Sequence, residues 1–466
     1  MRQAELIFIP TPGIGHLVST LEFAKCLIDR DDRLLITILS MKFPFTPLAD
    51  AYTRSLTASQ ARIQLIELPQ VDPPPAELLN SVEGYISVFI ERNIPNVKRC
   101  LTKIVSSNSN SGSARVAVLV LDFFCLSMID VGRELGLPSY LFLTSNAGFL
   151  GLMLYLPSRH NQMNIEFSDS DPALLIPGFV NPVPPVVMPS AVFNKDGGYT
   201  AYIKLAQRFR DTKGIIVNTF TELEQHALGS FPDGQTPPVY AVGPVLDLKG
   251  QPHPGLDQAQ HDNIMKWLDF QPPSSVVFLC FGSMGSFGAT QVKEIATGLE
   301  RSGHRFLWSL RMPPSPSPDN ILPEGFLERI EGRGMICGEW APQVEVLAHK
   351  AVGGFVSHCG WNSILESLWH GVPILTWPIY AEQQLNAFKM VRELGLAMEM
   401  RLDYRSGGDL VMAEEIERAV RRLMDGGIEV RKKVKEMGEM ARKAVMDGGS
   451  SFTSIGQLME DMIGSS

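Results

Sequence analysis

Positive charge is in short supply. Asp and Glu outnumber Lys and Arg by 50 to 41, for a net charge of −9, so the chain carries no basic footprint for nucleic acid or an anionic membrane surface. Cysteine is scarce as well, with six in 466 residues and no CxxC pair, which argues against a zinc knuckle or a thioredoxin-like site and fits a reducing compartment. No apolar run approaches the ~18 residues of a membrane span. The opening MRQAELIFIPTPGIGH is interrupted by Pro10 and Pro12 and makes a poor signal peptide, so a soluble, cytoplasmic protein is expected. The GxxxxGK[ST] pattern of a nucleoside triphosphatase occurs nowhere. What is present is apolar material: 45% of residues are hydrophobic, with near-average Gly (40) and Pro (33). That composition excludes disordered and collagen-like chains, and the length suggests two to four domains.

Short β-rich runs alternate with helical patterns. Glu5–Pro10 reads as a strand and leads through a Gly-containing turn to a helix with Leu17, Leu21, Ala24 and Ile28 on one face. Further strands are expected at Leu34–Leu39, Ile63–Leu68, Val116–Leu121, Ser139–Leu143 and Ile215–Asn218, with helices at about Val82–Val105, Leu126–Leu135 and Tyr199–Thr212. The second half repeats the pattern, with strands at Val276–Phe281, Phe306–Leu310, Met335–Cys337, Gly354–Ser357 and Pro373–Trp377. Unbroken apolar strands suit parallel sheets covered on both faces, so the chain is α/β with two doubly wound sheets. The aperiodic stretch Gly243–Gln260 is the expected boundary. Ser106–Ser113 and Pro313–Pro318 are expected to be surface loops, and Pro182–Pro189 a loop near the cleft. In such folds ligands sit beyond the carboxyl ends of the strands.

Gly13-Ile14-Gly15-His16 opens the first helix, yet a dinucleotide site fails twice. The third glycine is missing because position 18 is Val, and the second strand ends in Leu39-Ser40-Met41 without a ribose-binding carboxylate. His16 is left either as a capping or packing residue or as a general base, a task that an imidazole pKa near ~6.5 suits. Asp122 ends a strand expected at the same sheet edge, where it either orients His16 or caps the following helix. Phe123, Phe124 and Phe149 either line an apolar pocket or pack the core. The tract Phe281–Gly288 allows close backbone approach, and its hydroxyls and amides are candidates to bind phosphate.

The segment Trp340–Gln383, WAPQVEVLAHKAVGGFVSHCGWNSILESLWHGVPILTWPIYAEQ, carries the most information. A strand runs through His358-Cys359-Gly360-Trp361-Asn362-Ser363 into a helix whose amino terminus can hold a diphosphate without lysine. Ser363 and Glu366 match a capping box, S-x-x-E, or Glu366 instead holds neutral ribose hydroxyls. Trp340 at a strand end can stack a base, worth ~1–3 kcal/mol. Glu382 and Gln383 either hold sugar hydroxyls or begin a surface helix.

This 44-residue segment resembles the signature box of the plant secondary-product UDP-glycosyltransferases, and the likeness extends over the whole chain. The resemblance implies a GT-B fold, two Rossmann-like doubly wound parallel-sheet domains facing across a cleft. Residues 1–243 would bind the acceptor, 244–261 would link, 262–450 would bind the UDP-sugar, and a last helix at about 451–466 would pack back on the first domain. Trp340 and Ala341 would then hold uracil, and Gln343 and Glu366 the ribose. Ser283, His358, Asn362 and Ser363 would hold the phosphates. Trp361, Glu382 and Gln383 would contact the sugar, with Thr144 or Ser145 near its 6-hydroxyl. Trp361 and Gln383 are associated with UDP-glucose as donor. His16 would be the base and Asp122 its partner in an inverting transfer to a hydroxyl, giving a β-glucoside with no metal or other cofactor. The acceptor pocket would draw on Ile14, Phe123, Phe124, Phe149, Phe193 and Tyr380 and take a flavonoid or other phenolic, with triterpenoids and hormones as further candidates. A monomer without nucleic-acid or membrane partners is expected. The alternatives from other classes are an NAD-dependent oxidoreductase and a non-catalytic nucleotide-sugar-binding protein.

Overall fold

The structure, a computed structural model, describes residues 3–43, 60–111, 114–231, 234–250, 256–311, 321–405 and 407–464. The chain divides into two compact units. Unit 1 comprises Met1–Pro185, Ser190–Leu246 and Lys443–Ser466, and unit 2 comprises Val186–Pro189 and Asp247–Arg442. The helix Gln258–Asp269 begins inside the stretch expected to be aperiodic, capped by Asp257, whose side chain accepts from the Gln260 amide.

Among the described residues unit 1 is built on seven strands: β1 (Gln3–Ile9), β2 (Leu34–Ser40), β3 (Ile63–Glu67), β4 (Ala114–Asp122), β5 (Ser139–Leu143), β6 (Gly214–Val217) and β7 (Val239–Ala241). They lie in the order β3-β2-β1-β4-β5-β6-β7, every pairing parallel. The order reverses between β1 and β4, which makes their carboxyl ends the switch point where a doubly wound sheet binds ligands. β4 buries every residue but Arg115, as a central strand covered on both faces must. Helix Ile14–Arg30 packs Leu21, Ala24 and Ile28 into the same core as Phe8 and Val120.

The last helix, Ser450–Ile463, also belongs to unit 1. Ile455, Leu458 and Met462 join its core, and the Tyr240 hydroxyl donates to the Asp461 carboxylate. Arg30 closes its own helix with a cation at the negative end. Its guanidinium donates to the Phe452 carbonyl at 2.8 Å and lies 3.6 Å over the Phe452 ring.

Unit 2 carries β8 (Val276–Cys280), β9 (Arg305–Ser309), β10 (Gly334–Cys337), β11 (Val352–Ser357), β12 (Ile374–Thr376) and β13 (Ala397–Glu399). Their order is β10-β9-β8-β11-β12-β13, again all parallel. The switch point here lies between β8 and β11.

Three local readings change. Ser106–Ser111 is not loop but the end of a helix from Val82. Its serines and asparagines are poor helix formers but contain no breaker, so a helix already nucleated runs on through them; Gly112 and Ser113 lie outside the described residues. The helix expected at Leu126–Leu135 is a 3-10 turn, Phe123–Met128, followed by a short α-helix, Ile129–Glu134. Pro182–Pro189 contains a 3-10 turn at Pro185–Val187, and Arg405 donates to the Val186 and Met188 carbonyls at 3.0 and 2.7 Å. The expected loop Pro313–Pro318 lies outside the described residues. Among the described residues no helix is long and apolar enough to cross a membrane.

Candidate active site

Each unit brings polar side chains to its switch point. In unit 1, β1 runs out through Pro10-Thr11-Pro12 into the helix that carries His16 in its first turn, and β4 ends on Asp122. His16 Nδ1 lies 2.9 Å from Asp122 Oδ2, with the imidazole 30% exposed and the carboxylate 1%. The exposure difference matters: a buried carboxylate meets an imidazole that is still open to solvent. Asp122 makes no capping hydrogen bond to the following turn, and the helix of His16 is capped at Gly13 without a side chain. The capping alternatives for both residues therefore fall. Thr11 Oγ1 donates to the second carboxylate oxygen, Asp122 Oδ1. The Thr144 hydroxyl is 3.2 Å from His16 Nδ1, so it sits against the imidazole.

The aromatic residues sort by their neighbours. Phe124 meets the His16 ring edge-on at 6.1 Å, whereas Phe123 is enclosed by Phe149, Tyr202 and Phe209 at 5.5 to 6.1 Å. Phe123 and Phe149 are 4% and 3% exposed and pack as core. Ile14 packs against the unit 1 core. Phe193 faces Phe167 at 6.2 Å. Tyr380 lies in unit 2, its ring 6.3 Å from His358, and Ser145 is buried.

In unit 2 the loops after β8 and β11 meet around His358. Its imidazole is buried and lies against two glycines. A Cβ at Gly282 or at Gly360 would fall 2.5 Å from His358 Nε2, so only glycine permits the approach. Burial pulls the His358 pKa down to about 4, and Nδ1 has no hydrogen-bond partner. Cys359 next to it adopts a positive φ of 63° and Ala381 one of 54°, conformations that L-residues rarely hold outside sites that need them. Gly360, extended at φ −61° and ψ 141°, starts the helix Trp361–His370, whose amino end carries partial positive charge. Trp361 is buried and Asn362 half-buried in that first turn.

The capping box does not form, because the helix cap is Gly360 and not Ser363. Gln343 Nε2 instead reaches Ser363 Oγ at 2.9 Å and Glu366 Oε2 at 2.6 Å. Burial pushes the Glu366 carboxyl up to about 7, against the Gln343 hydrogen bond, with Asp247 adding to the rise. Gln383 is 3% exposed. Its Oε1 accepts from the Ile379 and Tyr380 amides at 2.9 and 3.0 Å, which fixes the amide orientation and leaves its NH2 group as the donor end. Glu382 makes no capping bond to the helix it precedes. Ser283 and Ala341 are half-buried at strand-end loops.

Two contributors escaped sequence reasoning. Thr11 contacts a residue 111 positions away, which no local pattern signals. Arg311 follows β9, donates to the Ser283 carbonyl and lies 5.5 Å from the Trp340 ring centre. Its position after a strand end was the available signal. Among the described residues no three His, Cys, Asp or Glu side chains converge as a metal site.

The model of the family "UDP-glucoronosyl and UDP-glucosyl transferase" matches residues 250–427. UDP-glycosyltransferase 71K1 of Malus domestica is 62% identical, with all of both chains covered. Flavonol 3-O-glucosyltransferase UGT71C4 of Arabidopsis thaliana is 55% identical over 99% of each. The crystal structure of Medicago truncatula UGT71G1 complexed with UDP-glucose superposes with a TM-score of 0.93 at 62% identity, covering 99% of this chain and 98% of that one.

The chain belongs to the plant family 1 UDP-glycosyltransferases.

As a UDP-glycosyltransferase it is an enzyme of GT-B fold, and its two Rossmann-like parallel sheets are those of that fold. The oxidoreductase reading is thereby set aside, in keeping with the incomplete glycine pattern after β1.

Proposed function

We propose that this UDP-glycosyltransferase is an inverting O-glucosyltransferase that moves glucose from UDP-glucose to a hydroxyl of a lipophilic small molecule, a flavonoid or other phenolic first. The observation that carries the reading is the buried Asp122 carboxylate 2.9 Å from the part-exposed His16 imidazole. Asp122 accepts a hydrogen bond from Nδ1–H, which holds the tautomer that leaves Nε2 as the basic nitrogen. His16 Nε2 removes the acceptor O–H proton, the acceptor oxygen forms a bond to the anomeric carbon, and the bond from that carbon to the diphosphate breaks with its electron pair leaving on UDP. Attack opposite the leaving group turns an α-linked donor into a β-glucoside. Asp122 remains an anion and steadies the imidazolium.

On the donor side, Trp340 stacks uracil beside the Ala341 backbone, while Gln343 and Glu366 receive the ribose hydroxyls. The phosphates meet Ser283, Asn362, Ser363 and the positive end of helix Trp361–His370, and His358 meets them as a neutral imidazole. Preorganised dipoles of this kind stabilise charge growing on the departing diphosphate and require no metal ion. Trp361, Glu382 and the NH2 group of Gln383 take the sugar. Relatives named as a flavonol 3-O-glucosyltransferase and as a complex with UDP-glucose support donor and acceptor class.

The test is a mass-spectrometric screen of several UDP-sugars against phenolic and terpenoid acceptors, with and without chelator, followed by NMR of the anomeric linkage. A hexose adduct formed chiefly from UDP-glucose, β-linked and chelator-insensitive, supports the reading. An α-linked product, or His16→Ala with near-native turnover, refutes the mechanism.

A further inference from the structure

Thr11 stands between Pro10 and Pro12 at the end of β1 and is 3% exposed. A residue before proline is biased toward extended backbone. Its hydroxyl lies between two buried groups from the end of β4 and the turn after it. It donates to Asp122 Oδ1, and its oxygen is 3.9 Å from Cys125 Sγ. A threonine hydroxyl has one proton, already given to the carboxylate, so the thiol is the donor in the second contact. Burial pushes the Cys125 thiol well up, which keeps that proton in place. The other carboxylate oxygen, Oδ2, faces His16 Nδ1 at 2.9 Å. Hydrogen direction is therefore fixed along one buried chain, from Cys125 to Thr11, from Thr11 to Asp122, and from His16 to Asp122.

We propose that Thr11 is a positioning residue of the transfer reaction, its hydroxyl locking the Asp122 carboxylate in the rotation that aims Oδ2 at His16 Nδ1. This inference rests on the reading of His16 as the base. A carboxylate held by one partner can turn about its Cβ–Cγ bond; held on both oxygens, it cannot turn without breaking a charge-assisted hydrogen bond in a place where water does not replace it. Thr11 touches neither substrate nor leaving group in this scheme and acts only through Asp122. Asp122 and Cys125 are the titratable groups that the described contacts set against this chain of hydrogen bonds, with the Thr144 hydroxyl and the Phe124 edge also on the imidazole.

The deciding variant is Thr11→Val, which deletes the hydroxyl at nearly constant volume, compared with Thr11→Ser, which keeps it. The Val variant is expected to lose about ten- to a hundredfold in kcat/KM, from the net worth of a hydrogen bond to a charged group, with the KM for UDP-glucose unmoved. The acidic limb of the kcat/KM–pH profile, which belongs to the His16–Asp122 pair as a whole, should move to higher pH. A carboxylate stripped of one donor holds an added proton on the pair more firmly. Asp122→Asn removes the anion and should move the limb the other way. Thr11→Ser should restore both rate and profile. If the Val variant does not fold, Thr11→Ala against Thr11→Ser gives the same comparison. With His16→Ala inactive as reference, a hydroxyl-free variant within twofold of wild type, or one with an unmoved acidic limb, overturns the role of Thr11 alone. An active His16→Ala overturns the base assignment and the role of Thr11 with it.

Discussion

Replacing Gly282 by alanine tests whether the pocket around His358 is as tight as its geometry implies. Gly282 has φ +73°, and an added Cβ would sit 2.5 Å from His358 Nε2, 2.8 Å from Cε1 and 3.1 Å from Cδ2. Two separable penalties follow. The left-handed backbone costs about 1–2 kcal/mol for a residue with a Cβ, and that cost falls on folding. The contact with the ring falls on the site. Ordinary carbon contacts are ~3.5–4.0 Å, so the imidazole must retreat by about 1 Å from a place where it is buried. A misplacement of that size near the chemistry costs on the order of 10²-fold. Gly282→Ala should therefore lose about a hundredfold in kcat/KM for UDP-glucose while remaining folded.

The control is Gly288→Ala in the same tract, where the backbone is extended at φ −67° and nothing lies within 4 Å of the added Cβ; it should stay within a few-fold of wild type. UDP affinity by titration calorimetry separates donor binding from turnover. If the damage runs through the ring, Gly282→Ala should cost little more once His358 has been replaced by alanine, because changes that share one partner are not additive. A folded Gly282→Ala protein with native UDP affinity and turnover would refute the reasoning. So would full additivity with His358→Ala.

Two further perturbations act on the proposed nucleoside side. The Glu366 carboxyl sits at about 7 against an ordinary 4.5 because of burial, so the folded chain holds this proton more tightly than the unfolded one. Its contribution to stability is complete below pH 4.5 and is lost as pH rises through 7. Glu366→Gln should flatten that segment of a denaturant-derived stability profile. UDP should bind wild type more tightly at pH 8 than at pH 6, since in the proposed complex ribose hydroxyls would donate to the ionised carboxylate, and the variant should lose this dependence. Trp340→Ala should weaken UDP by about 1–3 kcal/mol in calorimetry, the range for stacking a base on an aromatic ring, with Trp340→Phe recovering part of it.

The parts of this enzyme that were legible in its sequence are those whose signal is local and whose partners lie on adjoining strands. β1, β4, β8 and β11 read as strands because continuous apolar runs leave few other structures open. His16 and Asp122 were paired from the sequence because Asp122 ends one such strand and His16 opens the helix that follows another. β7 and β13 were not legible. Each has three residues and becomes a strand only by pairing with β6 and β12. The Ser363–Glu366 spacing left a capping box open for a related reason. S-x-x-E marks a cap only if the helix starts at the serine, and here it starts earlier, at Trp361 after a glycine cap. Thr11, Arg311 and the Gly282–Gly360 cradle were out of reach because each is defined by contacts across dozens of residues. They were invisible to periodicity, although every one of them lies at or just beyond a strand end.

The two histidines show how environment, and not residue type, assigns chemistry. His16 is part-exposed and has a carboxylate on Nδ1, so in the proposed role of base its protonated form would be stabilised. His358 is enclosed between glycines and held at about 4 by burial, which favours the neutral ring near pH 7. It offers a dipole, and groups whose surroundings push their titration apart take different tasks. Glutamine separates them, because it keeps a polar amide of similar reach but cannot accept a proton. His358→Gln should weaken UDP binding by about tenfold or less, the net worth of one hydrogen bond, and leave the pH profile of turnover in place. His16→Gln should leave UDP affinity unchanged and lower kcat/KM by about 10²–10⁴-fold, the usual contribution of a general base. Calorimetry with UDP and turnover on a phenolic acceptor read the two effects independently. Active His16→Gln protein would mean that no proton needs to be taken at this position, and a His358→Gln variant with a shifted pH profile would mean that the buried ring titrates after all.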